Sequence, residues 1–380
     1  MKPRHALVVG FGLGAIAVLA LGGIAGGQTV VELAGKVRLL KPSPTAPPPA
    51  ASRLLTPASA PRLTSPSPIP PPNSPGPRAG AIMVYDPENR GLILFGGSTT
   101  IPQPDGTNLA VSLGDTWLWD GVTWKNLNVD GPSPRSAAMA AYDSVRQEIV
   151  LFGGSGPGGL GPGLYFDDTW TWDGRVWHLR DPAHKPDPRM RAGMAFDQAR
   201  GVVVMVGGEG AKVYISTWTW DGTDWTLRAP TTNPTARRLA GMAYSASIGK
   251  TILYGGTWAG RQLSDTWLWD GSDWRPGPAG PAAGLTSLTY DDALGEVVGF
   301  VYRPAENATV RLITWNGAAW SDKTANAGIP SPRANMSFGY DAARSEVVMY
   351  GGSYIEPVPY AETWVWGGGR WSLWQPAAGA

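Results

Sequence analysis

Asp115-Thr-Trp-Leu-Trp-Asp-Gly-Val-Thr-Trp124 returns five more times along the chain. The copies run from Asp168 to Trp177, Ser216 to Trp225, Asp265 to Trp274, Arg311 to Trp320 and Glu362 to Trp371, and they hold 17 of the 19 tryptophans. Trp117 and Trp119 are two apart, which puts them on one face of a strand. Asp120-Gly121 reads as a two-residue hairpin turn, because that turn type needs positive φ at both positions. With that turn, Trp117 faces Trp124 in a cross-strand aromatic pair worth up to about 1 kcal/mol. The same register pairs Trp170 with Trp177, Trp218 with Trp225, Trp267 with Trp274 and Trp364 with Trp371, while Ile313 replaces the first tryptophan of the fifth copy.

Two further signals precede each hairpin. An alternating apolar strand ends at Tyr85-Asp86, Tyr142-Asp143, Phe196-Asp197, Tyr244-Ser245, Tyr290-Asp291 and Tyr340-Asp341. A short apolar run then ends in two glycines, at Gly96-Gly97, Gly153-Gly154, Gly207-Gly208, Gly255-Gly256 and Gly351-Gly352, with Gly299-Phe300 in the fifth unit. Glycine there implies close approach of another surface, expected to be the indole rings. Four strands in roughly 50 residues, repeated six times, predict an all-β, six-bladed β-propeller with four antiparallel strands per blade.

The order of apolar run, double glycine, spacer, aromatic and tryptophan resembles the kelch-repeat propeller family, over Arg78 to Trp374. One departure is that only four residues separate Trp119 from Trp124, fewer than in the usual kelch unit. The resemblance implies a bacterial exported kelch-like protein and opens two functions. One is a binding module. The other is an enzyme acting on an anionic sugar, similar to a sialic-acid mutarotase, which would need an arginine for the ligand carboxylate and an acid/base residue. Galactose-oxidase-like chemistry needs a tyrosine–cysteine cofactor, and this chain has no cysteine.

Before the repeats come two other segments. Lys2 and Arg4 form a basic start, and Ala6 to Val31 carries no charge. As a helix those residues would reach about 39 Å, enough to cross a bilayer. Residues 1–40 are therefore read as a signal peptide, with Gly23-Ile24-Ala25 as an acceptable cleavage site, or as an uncleaved membrane anchor. Residues 41–77 hold 14 prolines among Ser, Thr and Ala. Such a composition prefers extended polyproline II and forms no packed core, so it reads as a disordered stalk. The propeller takes up residues 78–380, outside the membrane in the cell envelope. The formal net charge of +1 gives no electrostatic case for nucleic acid.

Alternate strands reverse direction, so the connections between second and third strands share one face with those between blades. These are the long loops: Ser98 to Gly114, Ser155 to Asp167, Thr257 to Ser264 and Ser353 to Ala361. Loops held by a rigid scaffold are where binding residues collect. Within them Trp258 and Arg261 of unit four flank Arg303 and Glu306 of the altered fifth unit, followed by Tyr354, Glu356 and Tyr360 of unit six. These seven are the candidate ligand-binding residues, for a glycan or protein partner. Arg78, Arg135, Arg189, Arg237 and Arg333 each stand seven residues before the tyrosine position. They are expected at the channel mouth, either as an anion-binding ring or paired with Asp115, Asp168, Asp265 and Glu362. His178 and His184 lack metal-ligand spacing, so no metal or other cofactor is expected.

Overall fold

The computed structural model describes residues 74–157, 164–281, 284–304, 309–326, 328–353 and 358–375, and the backbone alone of residues 24–25, 28–33 and 36–39. Contacts divide the chain into two units, Met1–Ser65 and Pro66–Ala380. In the first, Ile24–Ala25, Gln28–Leu33 and Lys36–Leu39 form a three-stranded antiparallel sheet. The run Thr29-Val30-Val31, expected at the end of an apolar helix, is β-branched and favours strand. The rest of that expected segment, and residues 40–73 of the expected stalk, lie outside the described residues. Among the described residues no helix is long and apolar enough to cross a membrane.

The second unit is a six-bladed β-propeller. Each blade is a four-stranded antiparallel sheet built from consecutive chain. Blade one uses Ile82–Asp86, Gly91–Phe95, Thr116–Trp119 and Trp124–Asn126. Blade six closes on Ser337–Asp341, Glu346–Tyr350, Thr363–Gly367 and Arg370–Leu373, with no strand exchanged between the ends of the ring. Closure runs through contacts between these two blades. Trp124 donates to Thr363 Oγ1 at 2.9 Å, Ser337 Oγ donates to the Ala81 carbonyl at 3.0 Å, and Trp119 meets Trp374 edge-on at 5.1 Å. Ser74 to Pro77, expected in the stalk, belong with the propeller: Pro75 is buried and Tyr350 Oη donates to the Gly76 carbonyl at 2.9 Å.

The hairpin register differs from the expected one. Trp119 faces Trp124, and Trp117 faces Asn126. The loop has four residues rather than two, because Asp120 acts as a cap. Its Oδ1 accepts from the amides of Val122 and Thr123 at 2.8 and 2.7 Å, an Asx turn that the Asp-Gly pair alone does not announce. The facing pairs are Trp172–Trp177, Trp220–Trp225, Trp269–Trp274, Trp315–Trp320 and Trp366–Trp371 in the other blades, with ring centroids 5.3–5.8 Å apart in all six. The fifth blade therefore keeps its pair, and Ile313 stands at the other tryptophan position.

These indoles, buried except for the partly buried Trp320, also join the blades. Trp177, Trp225, Trp274, Trp320 and Trp124 each donate from Nε1 to a threonine of the preceding blade, at 2.8–3.1 Å: Thr116, Thr169, Thr217, Thr266 and Thr363. Blade five has Leu312 where the others have threonine, and Trp371 Nε1 is left buried without a partner. The Asp-Gly turns mesh with neighbours as well. Gly121 has φ of 91°, and a Cβ there would overlap the Arg344 side chain.

Candidate functional site

At the mouth of the channel the residue two beyond each arginine stands just before the inner strand, which begins two residues later. Gly80, Ala137, Arg191, Leu239 and Asn335 take left-handed φ of 54–71° there. That kink turns their backbones towards one another around the axis. Ala137 N donates to Gly80 O at 2.7 Å, Arg191 N to Ala137 O at 3.0 Å, Leu239 N to Arg191 O at 3.0 Å and Gly80 N to Asn335 O at 2.6 Å. Below this collar a cavity of about 190 Å³ is lined by inner-strand Ala, Met and Gly with Thr286, Ser287, Ser337 and a few larger apolar side chains. Among the described residues that line this cavity none is an acid or a base.

The five arginines are buried, at 0–2% exposure. Four of them are held by an internal carboxylate. Arg78 meets Asp115 with two bonds of 2.8 and 2.9 Å, Arg135 meets Asp168 at 2.6 and 2.8 Å, Arg237 meets Asp265 at 2.8 and 2.7 Å, and Arg333 meets Glu362 at 2.7 Å. Nη1 of each also donates to the first carbonyl of its own double glycine, at 3.0–3.2 Å. The backbone carbonyls of Arg135, Arg189, Arg237 and Arg78 in turn accept from the second glycine of the preceding blade, at 2.8–2.9 Å. The surface that the double glycines approach is thus the next blade's backbone rather than an indole. A Cβ on Gly153 would stand 2.4 Å from Arg189 O.

The remaining tryptophan of each motif completes the unit. Trp117, Trp170, Trp267 and Trp364 donate from Nε1 to that same acid at 2.6–2.9 Å. Burial raises the carboxyl pKa of Asp115, Asp168 and Asp265, but the arginine bonds and charge outweigh it, so each is held below the ordinary carboxylate range. A depressed folded pKa means that the contribution is complete above pH about 4 and lost as pH falls through the lower folded value. Asp168→Asn should therefore cost about 3 kcal/mol at neutral pH. The gap from wild type should narrow in acid, which urea unfolding at the two pH values would read.

Blade five departs from the pattern. Its second and third strands, Glu296–Arg303 and Thr309–Trp315, run on as one long hairpin, with Val301 and Tyr302 at the double-glycine positions. Gly299-Phe300 lies inside that ladder, so the sequence reading was displaced by two residues. Arg311 takes the acid's place and pairs instead with Asp322 on the fourth strand. Ala283, the counterpart of the arginines, lies outside the described residues.

Among the seven candidate ligand residues, Trp258 is exposed at the tip of a two-stranded loop hairpin, opposite Arg261. Ala259 and Gly260 turn that hairpin, both with positive φ. Arg303 ends the second strand of blade five, opposite Thr309. Tyr360 is stacked on Arg333, with 4.1 Å from the guanidinium carbon to the ring centre. Phe166 covers Arg135 and Tyr214 covers Arg189 in the same way, at 4.0 and 3.9 Å, so Tyr360 has a packing role inside its blade. Glu306, Tyr354 and Glu356 lie outside the described residues. The two histidines are exposed and bonded to Asp173 and Asp224. No group of three or more metal-ligating side chains occurs among the described residues.

Sequence reasoning missed a charged cluster in blades three and four. Glu209 lies between Arg191, at 2.8 Å, and Arg238. In blades one, two and six the position of Arg238 is held by Ala79, Ser136 and Ala334, opposite Ser98, Ser155 and Ser353 at the position of Glu209, and the position of Arg191 is held by Gly80, Ala137 and Asn335. The signal was present in the sequence as charge in a ring of small residues. Burial lowers the pKa of both Arg191 and Arg238.

No protein-family model matches the chain, and no curated protein matches its sequence at a significant level. The class that fold and site define is a six-bladed β-propeller whose repeated polar residues mostly bind one another.

Proposed function

We propose that this chain is an exported, envelope-tethered, kelch-type propeller that binds a glycan or a protein through its long-loop face. The observation that carries the reading is Trp258. It is an exposed indole on a hairpin that projects from that face, beside Arg261. An aromatic ring in water supplies large contact area, and the neighbouring guanidinium supplies directional hydrogen bonds. Exposed Ile101 and Leu109 on the paired strands Ser98–Pro102 and Asn108–Ser112 add apolar surface on the same side. The basic start, apolar run and proline-rich stretch before the propeller support export and tethering.

A second reading, an enzyme on an anionic sugar similar to a sialic-acid mutarotase, has one observation in its favour. Arg189 is the arginine of the five without a carboxylate in hydrogen-bond range. Against it stands the cavity below the collar, whose described lining carries no acid or base. Screening the full-length protein against glycans, cell-wall fragments and envelope proteins separates the two. The binding reading expects retention of one class without turnover. Trp258→Ala should then weaken binding at least tenfold with Tm unchanged within about 1 °C, as for an exposed side chain. Unchanged affinity in that variant would sink the assignment of this face.

A further inference from the structure

Blade three breaks the arginine–acid–tryptophan unit at one atom. In blades one, two, four and six a single carboxylate oxygen accepts from both an arginine Nη2 and a tryptophan Nε1. These oxygens are Asp115 Oδ2, Asp168 Oδ2, Asp265 Oδ2 and Glu362 Oε2. In blade three the acid is replaced by Ser216. Ser216 Oγ takes the Arg189 Nη1 bond at 3.1 Å, as the first carboxylate oxygen does in blades one, two and four. No group among the described residues takes the second. Arg189 Nη2 and Trp218 Nε1 are both buried and both without a hydrogen-bond partner.

We propose that this notch is a binding site for a small monoanion with the chemistry of a carboxylate, held between Arg189 Nη2, Trp218 Nε1 and the Ser216 hydroxyl. Charge favours an anion over water. The guanidinium of Arg189 is fully buried, and its nearest carboxylate, Asp187, lies 3.9 Å away with its own side chain well exposed. Glu209 is already engaged by Arg191 and Arg238. Lys212 lies 5.5 Å from the Tyr214 ring that covers Arg189, so four cations share this sector with two acids. A water molecule would satisfy the two donors and leave the buried charge with only the distant, exposed Asp187 as counter-ion. Burial accordingly lowers the Arg189 pKa to about 10.

The site lies towards the long-loop face, with Ser216 at its outer edge and both donor atoms buried beneath. The acids that fill this position in the other four blades are 14–41% exposed, and Ser216 is itself only partly buried. Anion binding at Ser216 is independent of which partner the loops bind.

The test is melting of the full-length protein at constant ionic strength, with gluconate, a carboxylate too bulky for the buried donors, exchanged for formate, acetate or chloride. A ligand that binds only the folded state raises Tm, here by ~2–4 °C at saturating formate. Ser216→Asp supplies the missing oxygen from within, so that variant should melt higher and lose the response. Ser216→Ala keeps both orphan donors and should retain the response. A rise with formate and acetate alone assigns a carboxylate occupant, and an equal rise with chloride assigns an inorganic anion. No rise in wild type, or the same rise in Ser216→Asp, would overturn the site and leave water as its occupant.

Discussion

Trp225→Ala is expected to destabilise the propeller by about 4 kcal/mol, within the range for a fully buried aromatic. Three losses combine. The ring is 1% exposed and packs on Trp220 across its hairpin and edge-on against Phe152 of blade two, 5.3 Å away. Its Nε1 bond to Thr169 ties blade three to blade two. Removal also leaves Thr169 Oγ1 buried without that donor. Trp170→Ala should cost less, because that ring is only partly buried and faces Leu179 across its hairpin rather than a second tryptophan. Urea unfolding of both variants would check the order, and equal losses would contradict the observed register.

Gly153→Ala should cost about 3 kcal/mol, from left-handed strain together with overpacking. Gly153 has φ of 66°, and its added Cβ would stand 2.4 Å from the Arg189 carbonyl oxygen, a backbone atom that cannot rotate away. Gly201 provides the control. Its φ is 65°, yet the nearest atom to its added Cβ is a Val145 methyl at 3.7 Å. Gly201→Ala should therefore lose only about 1 kcal/mol, the cost of the backbone conformation. The difference between the two isolates the approach of one blade to the next. Equal effects would mean that the double glycines serve turn conformation and not blade packing.

Much of this was legible because six copies can be read against each other. Blade number, strand order and the partnership of Arg78, Arg135, Arg237 and Arg333 with their acids all follow from positions that recur and, in blade five, fail together. The hairpin register was not legible. Asp120 contributes through its side chain, which caps two amides and makes a four-residue loop from a sequence that looks like a two-residue turn. Nor was the surface facing the double glycines, since it belongs to the next blade's backbone and carries no side-chain signature. Gly299-Phe300 misled because blade five extends its ladder instead of breaking it, placing Val301 and Tyr302 where the glycines would be. The blade-three notch stood in the sequence as Ser216 heading its copy of the motif. Its meaning appears only when both orphan donors are seen to lack the same oxygen.

The assignment of function rests on one face of the disc being the working face, and variants on opposite faces test that most directly. Trp258 is exposed on the long-loop side, whereas Val122 and Val145 are exposed in the short turns on the other. Affinity for the best-retained glycan or protein should be measured for wild type, Trp258→Ala and the double variant Val122→Asp/Val145→Asp, each with its melting temperature. The account predicts at least tenfold weaker binding for Trp258→Ala, full binding for the double variant, and wild-type melting for both. Full binding by Trp258→Ala, with binding lost in the double variant, would place the partner on the short-turn face and contradict it.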